Sequence, residues 1–148
     1  PNVMCQLINR PNFTVTTNVK AVLENGDSCG LIVTGGSYYG LKITKINGKL
    51  IAQQVSYELT RSEDKEEIVG GSMPLETDQL YLRLKVSYPN CIESYISTDN
   101  KNYVKIGNTV EYEVSRKSWV GGKIGIYCTS GNSETHKSYA KYDYINVE

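Results

Sequence analysis

The chain has 148 residues, a length that suits one domain with a sizeable core and is too short for two ordinary domains. Its 16 lysines and arginines balance its 16 aspartates and glutamates, so no strong field of either sign favours nucleic acid or an anionic membrane as a partner. No run approaches the roughly 20 apolar residues of a membrane span, and the opening residues lack the regions of a signal peptide. Because the chain starts at Pro1, we expect it to be part of a longer protein, on which any signal would lie.

Alternation of apolar and polar residues with period two recurs along the chain and predicts strands. The first such strand runs from Phe13 to Leu23, and a second has Leu82 and Leu84 on its apolar side. In chain order, strands are predicted at 13–23, 29–34, 38–46, 49–59, 80–86, 91–97, 103–106, 123–129 and 139–147, between turns such as Asn47-Gly48. Segment 58–68 has a helix-forming composition but no apolar stripe, so it is predicted as a charged loop.

Nine or more short strands predict one all-β domain over 1–148, an antiparallel sandwich or barrel. Leu82, Leu84, Ile124 and Ile126 are expected in its core.

The four cysteines are Cys5, Cys29, Cys91 and Cys128, and none of them forms a close pair in the sequence. Zinc ligands usually come as such pairs, and the single His136 cannot complete a site, so a zinc site is disfavoured. A chain of this length does not need disulfides to fold, so we expect mostly free thiols, with two disulfides as the alternative.

No catalytic constellation is evident in the sequence. A glycosidase needs two carboxyl groups held across a cleft, and the nearest candidate, the acidic segment 63–67, is predicted to be a solvated loop. Asp143 lies between Tyr142 and Tyr144 on the last predicted strand, where we interpret it as a hydrogen-bonded structural residue, with a structural calcium ion as the alternative. No motif requires a cofactor. The chain alone is therefore predicted not to be an enzyme.

Aromatic residues are the most suggestive feature, because 12 tyrosines accompany one phenylalanine and one tryptophan. Tyr38 and Tyr39 follow a glycine-rich turn, and Trp119 lies between a polar stretch and a Gly-Gly pair. The apolar face of a sugar stacks on such rings while its hydroxyls bind nearby polar groups. Trp119, Tyr38 and Tyr39 are therefore predicted to contact carbohydrate or a neighbouring domain, and a place in the core stays open as the alternative for each.

Several segments carry a family resemblance through their order and spacing, namely 13–17, 29–33, 81–86, 94–101, 106–107, 119–128 and 140–144. Residues 94–101 are similar to a Tyr-Ser-x-Asp-Gly-Lys turn, and residues 118–121 are similar to a Gly-Phe-Thr-Gly loop. Over nearly its whole length the chain resembles the C-terminal concanavalin A-like domain of family 43 glycoside hydrolases, the β-xylosidase and α-L-arabinofuranosidase group.

The resemblance implies a two-sheet antiparallel jelly-roll β-sandwich that follows a catalytic β-propeller, whose three catalytic acids are absent from this chain. It also implies that Trp119 corresponds to a loop aromatic that completes the substrate pocket, with Trp in place of Phe and Ser118 in place of Gly. The implied function is a non-catalytic carbohydrate-binding module for a plant cell wall polysaccharide such as xylan, arabinoxylan or arabinan. The alternative is a structural accessory domain that packs on the propeller without binding glycan itself. Such enzymes occur both secreted and in the cytoplasm, so localisation stays open, with an extracellular place favoured.

Overall fold

The computed structural model describes residues 2–8, 10–58, 66–112, 122–131 and 137–148, and these residues form strands and no helix. Within the described ranges, therefore, no helix has the length and hydropathy needed to cross a membrane. In chain order the strands are β1 (Asn2–Leu7), β2 (Phe13–Val22), β3 (Ser28–Thr34), β4 (Tyr38–Ile46), β5 (Lys49–Tyr57), β6 (Ile68–Pro74), β7 (Gln79–Ser87), β8 (Cys91–Ser97), β9 (Val104–Lys105), β10 (Val110–Glu111), β11 (Lys123–Thr129) and β12 (Tyr139–Val147).

The strands assemble into two antiparallel sheets. The first sheet has the order β1-β11-β3-β4-β5-β6, and the second has the order β10-β8-β7-β2-β12, with β9 also paired to β8. Strands β3, β4 and β5 follow one another as hairpins, whereas β11 returns from late in the chain to lie between β1 and β3. Such long-range returns are typical of jelly-roll sandwiches. The predicted all-β sandwich of two antiparallel sheets is confirmed.

Apolar side chains from both sheets meet in one core. Every second residue of β7 points into this core while the residues between them are more exposed, as the alternation in the sequence predicts. Leu82, Leu84 and Ile124 are buried as predicted, whereas Ile126, on the same strand as Ile124, is only partly buried against the core. Each fully buried leucine contributes roughly 1.5–3 kcal/mol, so this row of side chains is a main source of stability.

Three strands were not predicted, β1, β6 and the two-residue β10. All six residues of β1 are exposed, so the strand lacks the half-buried alternation that reveals others. Strand β6 begins at Ile68, inside the segment predicted as a loop, and contains Gly70, Gly71 and Pro74, which are poor strand formers. Both β1 and β6 lie at edges of the first sheet. An edge strand is held mainly by backbone pairing, which leaves little trace in the sequence.

Turn chemistry agrees with the sequence at two positions. Asn47 and Gly48 have φ angles of 50° and 78° and connect Ile46 to its partner Lys49, as in a two-residue hairpin of type I′. Asn100 has a φ of 60°, a conformation that Asn adopts more readily than most residues.

All four cysteines are free thiols, as predicted. Cys29 is buried in the core, and this burial raises the pKa of its thiol to about 12. Because the thiolate is the reactive form, Cys29 is expected to be inert in the folded protein. Cys5, on the edge strand β1, is exposed.

Candidate functional site

The face of the first sheet that points away from the core carries a groove of about 340 Å³, which we call the sheet groove. It crosses β1, β11, β3 and β4 and extends to Glu67, immediately before β6. Its lining residues are Val3, Ser28, Ile32, Thr34, Tyr38, Lys42, Glu67, Tyr127 and Thr129. A volume of this size lies at the lower end of the roughly 300–1,000 Å³ that small-molecule sites occupy.

Three glycines lie on the face of the first sheet that carries the groove. Gly30 on β3, Gly40 on β4 and Gly125 on β11 alternate with inward-pointing residues and therefore lie on the groove face. A Cβ atom on Gly30 would lie 1.9 Å from the carbonyl oxygen of Leu41, and one on Gly40 would lie 2.3 Å from that of Leu31. No side chain fits at either position without a shift of the backbone. These three positions therefore add no side chain to the face that carries the groove.

Tyr127 of β11 lies over the floor. Its hydroxyl is 3.5 Å from the carbonyl oxygen of Leu41 and 3.1 Å from the position that a Cβ on Gly30 would take. Burial raises the pKa of Tyr127 well above its ordinary value, so its hydroxyl stays protonated at neutral pH. From the core side, Tyr142 of β12 shares its hydroxyl proton between the carbonyls of Gly30, at 3.0 Å, and Tyr127, at 2.8 Å. This contact ties the floor of the groove to the second sheet.

Tyr38, Lys42 and Glu67 form a connected polar group at the β4 side of the groove. The hydroxyl of Tyr38 donates to Oε2 of Glu67, and Nζ of Lys42 lies 2.7 Å from Oε1 of the same carboxylate. The ring of Tyr38 stacks on that of Tyr57, with centroids 5.3 Å apart and planes at 14°. Burial, followed by the hydrogen bond to Glu67, raises the pKa of Tyr38. The ring is thus held on one face and at its hydroxyl.

Of the two adjacent tyrosines predicted as aromatic contacts, only Tyr38 lies in the sheet groove. Tyr39 is 4% exposed and packs in the core, with its ring 6.1 Å from that of Tyr112, so the prediction for Tyr39 is wrong. Adjacent residues of a strand point to opposite faces, and only one of the pair can reach a ligand on one face. Trp119 lies outside the described residues, and its role stays a prediction.

Lys42, Glu67 and Tyr127 were not predicted as site residues. Lys42 follows Tyr38 by four positions on β4, so period-two alternation could have placed both on one face. Glu67 belongs to the acidic segment that was predicted to be a solvated loop, yet its carboxylate contacts β4. That contact joins residues 25 or more positions apart, and no local pattern reveals it.

Asp143, the predicted structural or calcium-binding residue, lies on β12 where the register with β2 shifts between Tyr142 and Ile145. Its side chain is 54% exposed, and its carboxylate lies 3.8 Å from Nζ of Lys141. In the part of the chain that the structure describes, no group of three or more His, Cys, Asp or Glu residues could hold a metal ion. The calcium alternative therefore gains no support there.

The outer face of the second sheet carries different contacts. The guanidinium of Arg83 lies 3.7 Å from the ring centroid of Tyr103, and its Nε donates to Oγ1 of Thr16 at 2.9 Å. Nearby, Nζ of Lys105 lies 3.5 Å from Oε1 of Glu93. This second ion pair is comparable in chemistry to Lys42–Glu67 but lies on the opposite face of the sandwich, which makes it a useful control.

A single acid lines the sheet groove in the described part of the chain, Glu67. Hydrolysis of a glycosidic bond ordinarily uses two carboxyl groups that flank the bond. The carboxylate of Glu67 is also engaged by Tyr38 and Lys42. The described lining thus combines one acid, already engaged, with an aromatic ring and a lysine.

Comparison with known families gives one match over the full chain: the family described as "Beta xylosidase C-terminal Concanavalin A-like domain" matches residues 1–148. No curated protein matches the chain in sequence.

Several solved structures are similar in fold. The GH43 protein BlXynB from Bacillus licheniformis has a TM-score of 0.84 and 17% identity, over 99% of this chain and 29% of that one. A bifunctional GH43-CE protein from Bacteroides eggerthii has a TM-score of 0.85 and 20% identity, over 99% of this chain and 19% of that one. A third is a GH43 glycoside hydrolase engineered to display both endo-xylanase and exo-arabinofuranosidase activity, with a TM-score of 0.86 and 16% identity, over 99% of this chain and 30% of that one.

These similarities confirm the concanavalin A-like sandwich that the sequence predicts. At 16–20% identity they show the fold alone. The chain spans less than a third of the length of each of these three structures, so the similarity concerns one domain of larger proteins.

Proposed function

The chain belongs to the family of β-xylosidase C-terminal concanavalin A-like domains, and on this basis we propose that it is a non-catalytic accessory domain that binds a plant cell wall glycan in the sheet groove. The proposed ligand is a glycan of the xylan, arabinoxylan or arabinan type, held near an attached catalytic β-propeller. The observation that carries the proposal is the sheet groove, which brings a tyrosine ring, hydroxyls and an ion pair together on one face of the sheet.

The groove offers both surfaces that a sugar needs. The ring of Tyr38 supplies a flat apolar surface, and its stack on Tyr57 fixes the orientation before a ligand arrives. Such preorganisation lowers the entropic cost of binding. Further apolar surface comes from Val3 and Ile32, and hydroxyls come from Ser28, Thr34 and Thr129. The volume suits one or two sugar rings better than a long segment of polysaccharide.

Trp119 is proposed as a second aromatic contact, at the substrate pocket of the catalytic domain. The support for this role is the family resemblance of residues 118–121 and the position of the tryptophan between a polar stretch and a Gly-Gly pair. In this proposal the sheet groove and the loop that contains Trp119 have different roles in glycan breakdown. The groove holds glycan near the enzyme, and the loop aromatic completes the pocket in which it is cleaved.

Affinity electrophoresis of the isolated domain in gels containing xylan, arabinoxylan or arabinan tests the proposal. We expect at least one polysaccharide to retard the protein, and we expect Tyr38→Ala to weaken that binding by about tenfold or more, which corresponds to about 1.4 kcal/mol. Tyr88→Ala is the matched control, because Tyr88 is highly exposed and does not line the groove. Wild-type migration that no polysaccharide changes, or full affinity in Tyr38→Ala, would overturn the proposal.

A second candidate function is structural packing on the catalytic domain without glycan binding. One observation favours it, since Met4 and Leu7 on the edge strand β1 are 69% and 57% exposed. Apolar side chains on an edge strand are suited to contact with another domain. Replacing both residues by Gln then lowers the stability of the complete enzyme while leaving the isolated domain unchanged.

A further inference from the structure

The charged pair in the sheet groove has the chemistry to select among glycans, and this inference rests on the proposed function. We propose that Lys42 and Glu67 together recognise two adjacent free hydroxyls of a neutral sugar. The groove therefore prefers neutral glycans with unsubstituted hydroxyls over methylated, acetylated or acidic ones.

The Lys42–Glu67 pair has unused hydrogen-bonding capacity. A carboxylate has about four acceptor positions, and Glu67 uses one on Oε1 for Lys42 and one on Oε2 for Tyr38. An ammonium group has three donors, of which Lys42 directs one to Glu67. Acceptors on Glu67 and donors on Lys42 thus remain for a ligand.

These spare donors and acceptors lie in the groove itself. Both side chains line the sheet groove, and each is 24% exposed. Their remaining donors and acceptors therefore face the groove, where a ligand can reach them. Nζ of Lys42 and Oε1 of Glu67 are 2.7 Å apart, a spacing similar to that of adjacent hydroxyls on a sugar ring. One hydroxyl can donate to Glu67 while its neighbour accepts from Lys42. The ring of Tyr38, held by the same carboxylate, gives the sugar a surface on which to stack.

The charges of the pair disfavour an acidic ligand. Lys42 and Glu67 neutralise each other, and Glu67 is the one acid among the described lining residues. A carboxylate on the ligand would approach Glu67 and gain no unpaired cation in return. A methyl or acetyl group on a hydroxyl removes the proton that Glu67 accepts. Both changes leave the spare donors and acceptors of a partly desolvated pair unused by the ligand, which is costly.

The test compares two probes by isothermal titration calorimetry, xylobiose and xylobiose methylated at O2 and O3 of both rings. We expect the wild-type domain to prefer free xylobiose by about tenfold or more, as for loss of a charge-assisted hydrogen bond. In Lys42→Met and Glu67→Gln this preference should fall toward unity. If the ion pair were only structural, its removal would instead weaken the binding of both probes equally and leave the ratio of their affinities unchanged.

Lys105→Met is the matched control, because it removes the ion pair with Glu93 on the opposite face. It should leave the preference intact, and the melting temperature of every variant reports whether it folds. If Tyr38→Ala abolishes binding but Lys42→Met and Glu67→Gln keep the wild-type ratio, the inference is wrong while the proposed function stands. If wild type binds neither these probes nor any polysaccharide in the gels, both are wrong.

Discussion

At the scale of single residues, the two tyrosines of the sheet groove are held in different ways. The ring of Tyr38 stacks with one face on Tyr57, and its hydroxyl donates a hydrogen bond to Glu67. Tyr127 has its hydroxyl beside Gly30, and its own backbone carbonyl accepts a hydrogen bond from Tyr142 of the other sheet. Tyr38 is therefore the ring available for stacking, whereas Tyr127 closes the floor.

Gly30 is predicted to be essential for both the fold and the groove. In Gly30→Ala the new methyl group meets the carbonyl oxygen of Leu41 at 1.9 Å, and forcing the strands apart should cost about 1–3 kcal/mol of unfolding free energy. Glycan affinity should fall as well. Gly48→Ala is the control for glycan affinity, because its Cβ has nothing within 4 Å and its φ of 78° alone makes it costly, by about 1–2 kcal/mol, so it should lose stability and keep wild-type gel retardation. Urea unfolding and gel retardation measure the two effects, and wild-type stability in Gly30→Ala would contradict the close approach.

Trp119 carries the prediction for the loop that the resemblance singles out. If it contacts sugar at the pocket of the catalytic domain, Trp119→Ala should leave the melting temperature within a few degrees of wild type. It should lower glycan affinity, or turnover of the complete enzyme, by about tenfold or more. A tryptophan that caps the core behaves differently, since its truncation costs about 3–5 kcal/mol. Melting and turnover of this one variant separate the two roles, and strong destabilisation would refute the contact role.

At the scale of elements, the turn after β8 is organised by one carboxylate. Asp99 accepts hydrogen bonds from the backbone N–H groups of Asn102 and Lys101, both at 2.8 Å, and from the side chains of Asn102 and Ser97. These bonds, led by the one from the Asn102 backbone, lower the pKa of Asp99 below its ordinary value of 3.8. They favour the ionised form, so protonation weakens the turn.

The stability contributed by Asp99 should therefore depend on pH with a defined sign. Because the pKa is lower in the folded state, the contribution is fully present above the ordinary pKa of 3.8 and is lost as pH falls below it. Wild type should melt at a higher temperature than Asp99→Asn at about pH 6, and the difference should shrink toward about pH 2. Asp143→Asn serves as the control, since that carboxylate is 54% exposed and lies 3.8 Å from Nζ of Lys141. A difference between wild type and Asp99→Asn that is equal at both pH values would contradict this role.

The same scale shows what the sequence could predict about the fold. The strand around Leu82 and Leu84 was predictable because its burial is decided by its own alternation. Strands β1 and β6 were not, because pairing to a neighbouring strand, rather than burial of their own side chains, makes them strands. The residues of the candidate site were likewise predictable only in part. Tyr38 follows a visible glycine-rich turn, whereas Glu67 reaches the groove only through the pairing of β5 with β6.

At the scale of the whole molecule, the core and the groove lie on opposite faces of the first sheet. Inward residues such as Leu31 and Leu41 pack against the second sheet, while Ile32 and Lys42, their neighbours in sequence, line the groove. A ligand can therefore bind without disturbing the core. The residues that form the core and those that line the groove are therefore separate sets on the same strands.

The isolated domain is predicted to release no sugar from aryl xylosides, aryl arabinofuranosides or xylan. Hydrolysis ordinarily requires two carboxyl groups about 5–9.5 Å apart, one on each side of the bond. The described lining of the groove supplies one, Glu67, whose oxygens are bonded by Tyr38 and Lys42 and which has no acidic partner there. Release of nitrophenol or reducing sugar by the purified domain should therefore equal that of heat-inactivated protein, with Glu67→Gln giving the same background. Release above that background in wild type that disappears in Glu67→Gln would show that the groove is catalytic and that a second acid reaches it.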